Sequence, residues 1–180
     1  MISRSPDRGI ASYMQTPTEP LLLFLDTEFT GLMSEPNLIS IALVSEDGRE
    51  FYAELTDTWE MEECDPFVQE QVLPLLEGRK FQMTWDELTE RLPAWIIGFG
   101  RPVRIATDAV AADWEWIQKI CYATNFWPTN LSHQPLVLPS GVEAFEKERE
   151  RCYASGMRRH HALDDARAAR TAWTAGVYGH

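Results

Sequence analysis

Leu21-Leu22-Leu23-Phe24-Leu25-Asp26-Thr27-Glu28-Phe29 is a nearly continuous apolar run, broken by Asp26 and Glu28. Apolar residues at successive rather than alternate positions imply burial on both faces, so the run predicts a central strand of a covered sheet. Working outward, residues 38–44 read as a second strand and Glu50–Leu55 as a third. Glu46-Asp47-Gly48 between them has the chemistry of a hairpin turn. The ordered chain is therefore expected to begin with three antiparallel strands.

Beyond Leu55, helices and strands alternate. Residues 67–76 and 84–99 read as helices, each with an internal proline (Pro74, Pro93) expected to end or kink it. Thr84 with Glu87 three residues later has the form of a capping box. A short strand follows over 103–106, a helix over roughly 111–122, a loop over 125–134 and a last strand over 136–138. Helices close the chain over about 142–153 and Ala162–Thr174. The acidic stretch Asp57, Glu60, Glu62, Glu63 and Asp65 reads as a solvated loop, and residues 1–20, without periodicity, as a flexible leader. The expectation is an α/β fold with a mixed central sheet flanked by helices, forming one domain over residues 21–180.

Asp26 and Glu28 lie two apart in the first strand, so their side chains leave the same face. Carboxylates inside an apolar run must be paired or coordinated, because burying a bare charge is expensive. Two of them side by side repel, and oxygen ligands suit a hard cation such as Mg²⁺ or Mn²⁺. The alternative is a strand end where both are simply exposed. Asp113 shares the i, i+3, i+4, i+7, i+8 stripe of Trp116, Ile117, Ile120 and Cys121, the buried face of a helix. It reads either as an acid facing a cleft or as an N-cap. Asp165 lies at the edge of a stripe formed by Ala162, Ala166, Ala169 and Trp173, with Asp164 on roughly the opposite side. Small alanines would let this helix pack close to the sheet. His160 precedes Asp165 by five residues, which places it on the loop before the helix, beside His161.

In order, these residues resemble the three motifs of the DEDD superfamily of 3′→5′ exonucleases, histidine subclass (DnaQ-like, RNase H-like fold). Asp26-Thr27-Glu28-Phe29-Thr30-Gly31-Leu32 is similar to the first motif, Asp113 after Asp108-Ala109-Val110-Ala111-Ala112 to the second, and His160 through Asp165 to the third, H-x4-D. Many relatives carry His-Asn where this chain has Thr107-Asp108, which leaves Asp108 as an extra acid near the second motif. The resemblance implies an RNase H-like domain with two divalent cations, Mg²⁺ or Mn²⁺, held by Asp26, Glu28, Asp113 and Asp165. It also implies His160 as general base, and a substrate turn at residues 29–32 with backbone contacts from Phe29 and Thr30 and a wedging Leu32. The expected partner is a single-stranded RNA or DNA 3′ end, with RNA favoured by the likeness of the first motif to exoribonucleases. Small stand-alone relatives are commonly homodimers. A catalytically silent nucleic-acid-binding module on the same fold, or an RNase H-like endonuclease, are the competing functions.

Composition sets outer bounds. Apolar content of 44% and charged content of 24% over 180 residues are those of a globular chain. No apolar run approaches the roughly 18 residues of a membrane span, and no apolar stretch follows Arg4 and Arg8, so a cytoplasmic protein without membrane contact is expected. Cys64, Cys121 and Cys152 form no C-x-x-C pair and read as reduced, buried thiols. A net charge of −12 argues against gripping long nucleic acid by electrostatics alone. Residues 147–170 hold Lys147, Arg149, Arg151, Arg158, Arg159, Arg167 and Arg170, and read either as a phosphate path or as a mixed-charge solvated face.

Overall fold

β1 (Leu21–Phe29) pairs on one side with β2 (Leu38–Ser45) and on the other with β5 (Val103–Thr107), which makes it the central strand. In the computed structural model, which describes residues 19–32 and 35–176, the remaining strands are β3 (Glu50–Leu55), β4 (Gln82–Met83) and β6 (Leu136–Val137). The sheet order is β4-β3-β2-β1-β5-β6, with the β1–β2 and β2–β3 pairs antiparallel and the β3–β4, β1–β5 and β5–β6 pairs parallel. Five helices flank it: α1 (Pro66–Gln71), α2 (Trp85–Ile97), α3 (Glu115–Ala123), α4 (Glu143–Ala154) and α5 (Ala162–Thr174). This α/β arrangement, an antiparallel hairpin leading into parallel strands, is that of an RNase H-like domain.

Each face of β1 has its own core. Leu21, Leu23 and Leu25 pack with Leu88, Leu92 and Ile96 of α2 and with Ile117 and Ile120 of α3. Leu22 and Phe24 pack with Phe145 of α4 and with Ala169 and Ala172 of α5. Burying side chains of this size contributes about 1.5–3 kcal/mol each, which is why the strand is apolar on both faces. Asp26 and Glu28 continue the even series, so they leave β1 on the α4–α5 face, whereas Thr27 faces α2 and α3. The β1–β5 register runs only from Leu21↔Val103 to Phe24↔Ala106. Past Phe24, β1 is paired on its β2 side alone, and a bulge falls between Glu28 and Phe29. The acids therefore stand in a notch at the carboxyl end of the parallel strands, the usual place for a site in an open α/β sheet.

Several local expectations need correction. The helix expected over 67–76 ends at Gln71, and Pro74 sits in a separate 3₁₀ turn, Leu73–Leu75. Pro93, by contrast, does not end α2: buried Leu88, Leu92 and Ile96 hold the helix on the core past the missing N–H. The capping box of Thr84 and Glu87 forms as expected. The acidic stretch is only partly a loop. Glu60 and Glu63 make a capping box around the 3₁₀ turn Met61–Glu63, and Asp65 caps α1 by accepting the Val68 N–H at 2.8 Å. β4, two residues long, carried no readable pattern. The proposed leader at 1–20 lies outside the described residues except for Glu19 and Pro20. No helix among the described residues is long and apolar enough to cross a membrane.

Candidate active site

The notch gathers the acids from three separate segments. The Asp26 carboxyl is held well above its usual range, first by burial and then by the charges of Asp165, Glu28, Asp113 and Asp108. Glu28 is pushed up to about 8 by burial, with Asp165 and Asp113 adding to it. These are the shifts expected when carboxylates share a pocket without a cation between them. Ligand atoms of Glu28, His160 and Asp165 all lie within 4.8 Å of one another, a spacing one ion can span.

Asp113 approaches from the other face. The chain leaves β5 through Asp108 and enters a π turn, Val110–Trp114, before α3 begins. This wider turn, in place of the regular helix expected from residue 111, drives Asp113 inward until it is 2% exposed. It caps no helix end. Its two carboxylate oxygens accept the hydroxyls of Thr27, at 2.7 Å, and of Thr107. Burial raises its carboxyl to about 6 while those two hydrogen bonds oppose the rise.

The start of α5 sorts the two histidines and the two aspartates. His161 is 2% exposed, caps α5 by accepting the Asp164 N–H at 3.3 Å, and packs on the Tyr52 ring. Asp164 turns away from the notch to Arg158 and Arg167, at 2.7 and 2.9 Å. Asp165 turns into it. Its Oδ2 accepts the backbone N–H of His160 at 2.8 Å, and its Oδ1 accepts the Tyr153 hydroxyl. Burial raises the Asp165 carboxyl against the pull of those donors. His160 takes a left-handed backbone, φ 63°, rare for a residue with a side chain. The bond to Asp165 holds that conformation, and the ring lies edge-on to Phe67 with centroids 4.9 Å apart.

The 29–32 turn divides two clefts beside the acids. One, of about 380 Å³, is lined by Glu28, Phe29, Leu32 and Phe67, and the other, of about 260 Å³, by Phe29, Leu32, Ala112 and Trp116. Leu32 is 95% exposed at the rim and Phe67 is 51% exposed opposite it. Thr30 is fully buried: its N–H donates to the Asn37 carbonyl, its hydroxyl accepts the Asn37 N–H, and its carbonyl accepts the Asp65 N–H. It shapes the turn from within. Gly31, at φ 144°, lies so close to Asp65 that an added Cβ would come 2.5 Å from its Oδ2.

Phe67, Tyr153 and Arg149 were not singled out as site residues by the sequence, since each lies on a helix outside the three motifs. The i, i+4 spacing of Arg149 and Tyr153 was the one available signal. Most of the basic segment is committed within the fold. Arg149 pairs with Asp108, Arg151 with Glu148, Arg158 with Glu77 and Asp164, Arg159 with Glu150, and Arg167 with Glu50. Arg170 donates to the Glu46 carbonyl. Asp108, the extra acid near the second motif, is thus ion-paired with Arg149. Compared with family models and with characterised proteins, the chain gives no significant match.

Proposed function

We propose that this chain is a metal-dependent 3′→5′ exonuclease of the DEDD type, histidine subclass, releasing nucleoside 5′-monophosphates from single-stranded ends. The observation that carries the reading is the convergence of Asp26, Glu28, Asp113 and Asp165 with His160 at one notch, their carboxyls raised by mutual burial. The donor set fits hard divalent cations: oxygen-rich, anionic and crowded enough that a cation relieves it. Asp26, Glu28 and Asp165 would hold Mg²⁺ or Mn²⁺, with Asp113 beside them held by its two threonines. Bound there, divalent cations supply positive charge to the attacking and leaving oxygens of an in-line displacement.

The chain's own residues do the rest. His160, on its left-handed backbone at the mouth of the notch, accepts the proton of the attacking water as its oxygen bonds to phosphorus. The bond from phosphorus to the 3′ oxygen of the preceding nucleotide breaks as the new bond forms, and that oxygen takes a proton from solvent to leave a 3′ hydroxyl on the shortened strand. The terminal base fits the cleft between Leu32 and Phe67, whose apolar surfaces suit stacking. Such a site grips one end rather than a long backbone, in keeping with the net charge of −12. The likeness of residues 26–32 to exoribonucleases favours RNA over DNA. Three buried free thiols, Cys64, Cys121 and Cys152, fit the reducing cytoplasm.

The test uses matched RNA and DNA oligonucleotides with Mg²⁺, Mn²⁺ or excess chelator. Metal-dependent shortening that a 3′ phosphate slows and a 5′ block does not is the expected result. Cleavage of a circular single strand would assign the site to an endonuclease instead, and binding without cleavage to a silent module.

A further inference from the structure

α4 plays no part in the mechanism above, yet it carries two polar side chains to the edge of the notch. Arg149 and Tyr153 are one helical turn apart and share a face. Arg149 Nη1 donates to Asp108 Oδ2 at 2.7 Å, and its Nη2 donates to the Tyr153 hydroxyl at 3.4 Å. The Tyr153 hydroxyl donates in turn to Asp165 Oδ1. The direction of this chain is fixed by chemistry. A guanidinium has donors only, so the tyrosine oxygen must accept from Arg149 and its single proton is left for Asp165.

We propose that Tyr153 is a positioning residue that sets the Asp165 carboxylate for cation binding, with Arg149 tying it to Asp108 at the end of β5. The inference rests on the metal-dependent reading of the notch. The torsion that turns a carboxylate about its Cβ–Cγ bond is broad, so packing alone fixes it poorly. Ligand atoms of Glu28 and His160 lie within 4.8 Å of those of Asp165, so an untethered carboxylate has close neighbours to turn away from. Two donors prevent that: the His160 N–H on one oxygen and the Tyr153 hydroxyl on the other. The Tyr153 ring is itself held, with the Arg159 guanidinium 4.4 Å from its centroid. Asp108 follows β5 and Asp165 opens α5, so the chain Asp108–Arg149–Tyr153–Asp165 also braces the second motif against the third.

Tyr153→Phe removes one oxygen and keeps the ring. Mn²⁺ binding to the full-length protein, followed by calorimetry beside a thermal melt, reads the effect without activity. The expected result is affinity weakened about 10–100-fold, the usual loss when an outer hydrogen bond to a metal ligand is removed. kcat at fixed metal should fall with it and recover in excess Mn²⁺, while KM for an oligonucleotide stays near the wild-type value. Arg149→Lys, which keeps the charge but not the fork, should weaken Mn²⁺ in the same direction by less. Wild-type Mn²⁺ affinity in Tyr153→Phe, or a lost rate that excess metal does not restore, overturns the positioning role alone. Failure of the wild-type protein to bind Mn²⁺ overturns the metal-dependent reading and this inference with it.

Discussion

Burial pushes the carboxyls of Asp26, Glu28, Asp113 and Asp165 upward, Glu28 to about 8 and Asp113 to about 6. A carboxyl whose folded pKa exceeds its unfolded value of about 4 binds more protons folded than unfolded. Its stabilising contribution is complete below about pH 4 and is lost as pH rises through the folded value. The metal-free protein should therefore melt at lower temperature near pH 9 than near pH 7, the window around the Glu28 value. Buried thiols contribute with the same sign, so the comparison is with Asp26→Asn and Glu28→Gln, which should show a shallower decline. Each kcal/mol of repulsion relieved is worth about 2–4 °C in Tm for a chain of this size. Excess Mg²⁺ should flatten the wild-type profile likewise, and an unchanged slope in both variants would contradict the crowding. The histidines give a second test. His160→Ala should lower kcat by about 10²–10⁴-fold with little change in Tm, as for a lost general base. His161→Ala should keep kcat and lose about 1 kcal/mol of stability, since His161 is a buried helix cap. At this scale the D-x-E pair and the spacing of His160 from Asp165 were legible because each is written in adjacent sequence. Tyr153 was not, because its partner lies on another helix.

The elements explain why some spacings misled. β1 and α5 were readable to the residue, the first from its two-faced apolar run and the second from its alanine stripe. The π turn before α3 was not, because one extra residue per turn leaves the apolar stripe of Trp116, Ile117, Ile120 and Cys121 intact. That extra residue is what brings Asp113 onto Thr27 and Thr107. Pro93 misled in the other direction: a proline costs about 3 kcal/mol within a helix, but the buried face of α2 outweighs it. The 29–32 turn carries the element-scale prediction. An alanine Cβ at Gly31 would meet a carboxylate already committed to capping α1, on a backbone that disfavours side chains. Gly31→Ala should therefore displace Leu32 and raise KM about tenfold or more, the scale of a 1–2 kcal/mol loss of apolar contact. An unchanged KM would show that the turn does not contact substrate.

Across the whole molecule, the fold class followed from the order of strands and helices, and the notch from acids placed where the sheet stops pairing. Charge was the harder reading. The basic segment over 147–170 looked equally like a phosphate path, and only the folded chain shows most of those arginines spent on Asp108, Glu50, Glu77, Glu150 and Asp164. With few free cations at the site, binding should release few counterions. The log–log dependence of kcat/KM on salt should have a slope shallower than about −2, against roughly −0.7 per phosphate contacted on a single strand. A much steeper slope would reveal a basic track elsewhere on the surface.

The most direct measurement follows a 5′-labelled single-stranded RNA through time with Mn²⁺, comparing wild type with Asp26→Asn and Asp165→Asn. The expected outcome is a ladder shortening one nucleotide at a time from the 3′ end, abolished by chelator and absent in both variants. Full cleavage in either variant or in excess chelator, or a first product cut internally, would contradict a metal-dependent 3′→5′ exonuclease.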